Sequence, residues 1–152
     1  MDWHLDITIE SPFEDVISEN SLRHVTENVL GHEGVEHPVE LSLLITGDET
    51  VHELNRNYRQ LDETTDVLAF AFQEDSDFPS PVDGITQLGE VIISAEQAER
   101  QAAENEHSLE QEIAILTIHG ILHLLGYDHQ NNKAEQAMRA REKEILDRLS
   151  RA

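Results

Sequence analysis

The chain has 152 residues, is 38% hydrophobic and 28% charged, and contains no cysteine; this suits one soluble domain and excludes disulfides and thiolate metal sites. Its 32 acidic against 10 basic residues give a net charge of −22, which excludes a broad nucleic-acid-binding surface, because neutralising phosphates takes clustered Lys and Arg. No apolar run approaches the roughly 20 residues of a membrane span and no basic-then-apolar leader is visible, so a cytoplasmic protein without membrane contact is expected.

In chain order, "WHLDITIE" alternates apolar and polar residues and predicts a strand. "SPFE" follows, with Ser11 as N-cap, Pro12 at the first helical position and Glu14 three residues after the cap. That capping box predicts a helix through Leu30, with Phe13, Val16, Ile17, Val25 and Val29 on its apolar side and Gly31 and Gly34 ending it. "VELSLLIT" is the second strand, and Gly47-Asp48 opens a short helix, "DETVHELNRNYR". "DVLAFAF" is the third strand, followed by an acidic, proline-containing loop from Gln73 to about Gln87, and "LGEVIIS" is the fourth. Ser94 with Gln97, and Ser108 with Gln111, cap the next two helices, and an amphipathic helix from Asn132 to Leu149 closes the chain. The order β-α-β-α-β-β-α-α-α predicts an α+β fold: a single domain over residues 1–152, with one small mixed four-stranded sheet and helices packed on it.

The chemistry concentrates in "HGILHLLGYDH", residues 119 to 129, which holds three of the nine histidines. His119 and His123 are four apart on a predicted helix, hence on one face, one turn above the other. Gly126 sits where the helix should stop, letting the chain turn back and bring His129 to the same point. Three imidazoles leave a fourth position open on a tetrahedral zinc ion, the arrangement of a catalytic rather than a closed structural site. Both His–His spacings and the glycine match the metzincin pattern H-E-x-x-H-x-x-G-x-x-H, but Gly120 stands where those peptidases carry the glutamate that acts as general base. The predicted site is a zincin-like His-helix with one zinc ion, used for chemistry other than peptide hydrolysis.

This segment closely resembles the signature of the YbeY family of bacterial endoribonucleases. "LNRNYRQLDETTDVLAFAF", residues 54 to 72, resembles the family's Asn, Tyr-Arg, Asp and Thr-Asp-Val-Leu pattern before a strand, and "LGEVIIS" its Leu-Gly-Asp/Glu segment. The family usually has Ser-Phe-Pro after Val-Leu, where this chain has Ala69-Phe70-Ala71. The resemblance implies a zinc-dependent, single-strand-specific endoribonuclease acting in maturation of the 3′ end of 16S ribosomal RNA and in ribosome quality control. It implies that His119, His123 and His129 are the metal ligands and that Arg59, in the Tyr-Arg pair, is the basic residue of the active cleft. The implied partners are ribosomal RNA and the small ribosomal subunit; the acidic charge points to a basic ribosomal protein as the alternative.

A guanidinium facing a zinc ion can hold a phosphate and offset charge developing on its oxygens. Otherwise Arg59 makes a surface ion pair with Asp62 or Glu63, which is worth little. Arg56, one turn earlier, reads as a solvated helix residue. Asp128 either orients a ligand from behind or closes the turn; Asp66 caps or orients a loop. Two other classes stay open: a zinc peptidase or amidase drawing its base from Glu112 or Asp128, and a non-catalytic assembly factor whose acidic surface docks on a basic ribosomal protein.

Overall fold

A computed structural model describes residues 3–72, 84–128 and 131–150. Its elements are β1 (Trp3–Ile9), α1 (Glu19–His32), β2 (Val39–Thr46), α2 (Asp48–Arg59), β3 (Val67–Ala71), β4 (Thr86–Ser94), α3 (Ala95–Glu104), α4 (Leu109–Leu124) and α5 (Asn132–Ser150). The strands form one mixed sheet in the order β1-β2-β4-β3, parallel from β1 to β2 and from β2 to β4, and antiparallel between β4 and β3. The α+β architecture expected from the element order is therefore present.

Alternation along the strands sorts the residues between two faces. Leu41, Leu43 and Ile45 of β2 and Val91 and Ile93 of β4 join the main core with α1, α3, α4 and α5. Leu44 and Ile92, one residue out of phase, turn to the opposite face and pack with Val51 and Leu54 of α2 and with Leu68 and Phe70 of β3. The register slips at Glu40/Leu41, where Leu41 pairs with Gly89 and Leu88 becomes the extra residue of a β-bulge.

Most caps form as read. Ser94 and Ser108 accept from Gln97 N and Gln111 N, and the second closes a full capping box. The first helix differs. Phe13–Asp15 form a single 3₁₀ turn, and the true N-cap is Ser18, whose extended backbone lets its hydroxyl accept from Ser21 N. Val16 is consequently 66% exposed instead of buried, while Leu22, Val25, Thr26, Val29 and Leu30 make the buried stripe of α1 at helical spacing. The helix also runs through Gly31 to His32. Residues 73–83, most of the expected acidic loop, lie outside the described residues, and Thr86 and Gln87 belong to β4. Among the described residues no helix is long and apolar enough to cross a membrane.

Candidate active site

The wall of the site built by α2 depends on Asn55. Gln60 takes left-handed backbone (φ 60°) and returns its N–H to Asn55 O, as does Leu61 N at 3.3 Å. The buried Asn55 side chain donates Nδ2 to Glu63 O at 2.9 Å. One residue thus holds the turn after α2 through both backbone and side chain. Arg59 is presented in the last turn, where the helix dipole favours a cation. Asp62, a candidate partner for Arg59, instead meets His52 Nε2 at 2.7 Å and Arg56 Nη1 at 3.9 Å.

The facing wall is α4, apolar almost all round and therefore embedded between sheet and helices. His119 and His123 are its half-buried exceptions. They line the same open cleft, of about 420 Å³, as Tyr58, Arg59, Val67, Ala69, Phe70 and Ala71. Tyr58 is 70% exposed and meets Phe70 edge-on, with ring centres 5.8 Å apart. Among the described residues the cleft lining has one cation, Arg59, and no carboxylate. Gly120 also lines it, and a Cβ there would sit 2.6 Å from Val91 Cγ1. The position that carries the general base in zinc peptidases is thus pressed against a stiff, buried side chain of β4, with no room for a glutamate.

His119 Nδ1 meets Glu142 Oε1 of α5 at 2.8 Å. A neutral ring that donates from Nδ1 to that carboxylate keeps its lone pair on Nε2, the nitrogen through which it could then ligate a metal. His129 lies outside the described residues. The turn that leads to it is well anchored: Gly126 (φ 109°) donates to His123 O and Tyr127 N to Leu122 O, both at 3.1 Å, a Schellman-type helix end. Tyr127 Oη donates to Glu33 Oε1 at 2.7 Å and accepts from Arg141 Nε at 3.0 Å. Burial, then the neighbouring Glu33 carboxylate, hold the Tyr127 hydroxyl above its ordinary pKa, so it stays a neutral donor. The two described histidines fit a zinc ion by donor type, and the Glu142 contact at Nδ1 of His119 suits ligation through Nε2.

Glu112 and Asp66 are engaged elsewhere. Glu112, 3% exposed, meets His107 Nε2 at 2.5 Å and accepts from Gln101 Nε2 at 3.0 Å. Gln101 Nε2 also reaches Asp66 Oδ2 at 3.2 Å, and Asp66 O accepts from Ser94 N at 2.9 Å. Asp66 therefore ties the start of β3 to α3 and β4, and Glu112 serves a buried polar junction between α3 and α4 rather than the cleft. Reading by residue type missed Asn55, Glu33 and Glu142. Glu142 is flanked at i−4 and i+3 by Met138 and Ile145, both fully buried, so a carboxylate fills a core-facing position of α5.

A family model described as Endoribonuclease YbeY matches residues 7–150. Proteins called Endoribonuclease YbeY from Dehalococcoides mccartyi (strain CBDB1) and Roseiflexus sp. (strain RS-1) are 44% and 45% identical to this chain. The alignments cover 90% and 95% of the chain and 87% and 92% of those proteins. The solution structure of TM1509 from Thermotoga maritima superposes with a TM-score of 0.62 at 26% identity, over 94% of this chain and 87% of that one. The chain belongs to the YbeY family.

Proposed function

We propose that this member of the family is a zinc-dependent endoribonuclease that cleaves single-stranded RNA in the cleft between α2, β3 and α4. Its substrate is ribosomal RNA, at the 3′ end of 16S, in the context of the small ribosomal subunit or a basic ribosomal protein. The observation that carries the reading is the meeting of Arg59 with His119 and His123 in one open cleft, in a chain whose relatives are named endoribonucleases. His119, His123 and His129 would hold one zinc ion, which supplies Lewis acidity for hydrolysis when bound. Arg59 grips a phosphate through its planar fork and offsets charge on the phosphoryl oxygens in the transition state. The exposed ring of Tyr58 borders the same opening and offers a face to an unpaired base. The peptidase alternative loses Glu112, which is buried against His107 and Gln101, and the usual position of a peptidase base is closed by Val91.

The test is zinc content measured beside cleavage of defined single-stranded RNA, with chelator and with zinc restored. Purified protein should carry about one zinc and lose cleavage with chelator. His123→Ala should lose the metal. Arg59→Glu should keep it and lose cleavage, and Arg59→Lys should recover part of the activity, because a point charge replaces a bidentate fork. Cleavage that survives complete zinc removal, or an Arg59→Glu variant with wild-type cleavage, would overturn the corresponding role.

A further inference from the structure

We infer that Glu142 is a positioning residue for the metal site: it holds the His119 ring in the Nε2-ligating tautomer and orientation, which makes α5 part of the site. The inference rests on the zinc reading of the cleft. Its own observations are independent of RNA.

The first is geometric. Glu142 Oε1 lies 2.8 Å from His119 Nδ1, across the α4–α5 contact and 23 residues along the chain. Both side chains are partly buried, 20% exposed for Glu142 and 32% for His119. A charge-assisted bond in that setting is screened less than one at the surface. The second concerns placement on the helix. Met138, Glu142 and Ile145 fall at i, i+4 and i+7, and the two flanking residues are fully buried. An apolar residue in the same place would pack as its neighbours do. A carboxylate must shed water to sit there, a cost that a specific partner has to offset. The partner found is the ring nitrogen that a metal ligand bonding through Nε2 turns away from the metal. A carboxylate on that nitrogen fixes the tautomer and raises the basicity of the other.

The test is zinc affinity of the full chain, by competition with a chromophoric chelator, together with the absorption spectrum of the cobalt-loaded protein and the melting of the metal-free form. Glu142→Ala should weaken zinc binding about 10- to 100-fold and alter the cobalt spectrum. Glu142→Gln, of the same size and still able to accept a hydrogen bond but uncharged, should fall between. Arg139→Ala, on the same helix, with an exposed side chain that pairs with Glu135, should bind zinc as wild type does. If Glu142→Ala unfolds the metal-free protein, Glu142→Gln carries the comparison. Wild-type zinc affinity in whichever Glu142 variant folds would overturn the inference while leaving the nuclease reading intact. A wild-type protein that takes up no zinc would overturn the metal site itself.

Discussion

Gly89 shows how one residue shapes the cleft. Its φ is 142°, and a Cβ there would lie 2.0 Å from Phe70 O of β3 and 3.0 Å from Leu124 Cδ2 at the end of α4. The bare backbone lets β3 and the histidine helix approach β4 together. Gly89→Ala combines a strained dihedral with a clash against backbone, so it should destabilise by about 3 kcal/mol or more, measured by denaturant unfolding. A loss below about 0.5 kcal/mol, the range of ordinary surface substitutions, would mean the approach is not enforced there. At this scale the cleft lining was legible in part: His119 and His123 were picked out by their i, i+4 spacing before a glycine, Arg59 only through the family resemblance, and the three do line one cleft. Glu142 was not legible because a glutamate in a charged helix looks solvated until the buried stripe of that helix is known. Asn55 was missed because its work is to hold backbone atoms of a turn not yet folded.

The elements were legible where a cap has a local cause. Ser94, Ser108 and Gly126 act within one turn of themselves, and all three do what their position suggests. Ser11 has the same local credentials and fails. Ser18 competes with it, and the choice is settled by which start aligns Leu22, Val25 and Val29 with the core, a tertiary fact. Another tertiary junction sets the start of α2, the helix that ends in Arg59. Asp48 accepts from Ser94 Oγ and Arg100 Nη2, both at 2.7 Å, and lies near Thr64 Oγ1, while its own N–H reaches Glu96 Oε1 at 2.9 Å. Burial alone would raise the pKa of this carboxyl, but the bonds from Ser94, Arg100 and Thr64 and the Arg100 charge together hold it below its ordinary value. A lowered folded pKa favours the folded state wherever the unfolded group is ionised. The stabilisation from Asp48 should therefore be complete above about pH 4, the unfolded value, and vanish as pH falls through the lower folded value. Asp48→Asn should be less stable than wild type at neutral pH, and the gap should narrow below about pH 4 in thermal melts. A gap that stays constant from neutral pH to below that range would show that the charge of Asp48 contributes nothing.

For the whole molecule, the decisive quantity is the net charge of −22, set against a cleft whose described lining carries one cation. Long-range repulsion should slow the approach of free RNA, and only a few phosphates can be neutralised once it arrives: those met by Arg59, by a bound metal and by the nearby Arg56. Counterion release then makes the affinity for naked RNA weak and gently salt-dependent, with a log–log slope of roughly −1 to −3. The same charge favours a basic protein surface, through attraction that salt screens over about 8–10 Å. If RNA is delivered as part of a ribosomal particle, the acidic exterior becomes an aid to encounter, and specificity for place comes from the protein contact while the cleft needs to recognise only an unpaired segment. Titrations of the small ribosomal subunit and of naked RNA of the same sequence, each at several salt concentrations, separate the two terms. The particle should bind more tightly, with its advantage shrinking as salt rises. Tight binding to naked RNA with a slope much steeper than −3 would require a basic surface that 10 basic residues among 32 acidic ones do not supply, and would sink this account of how the substrate is reached.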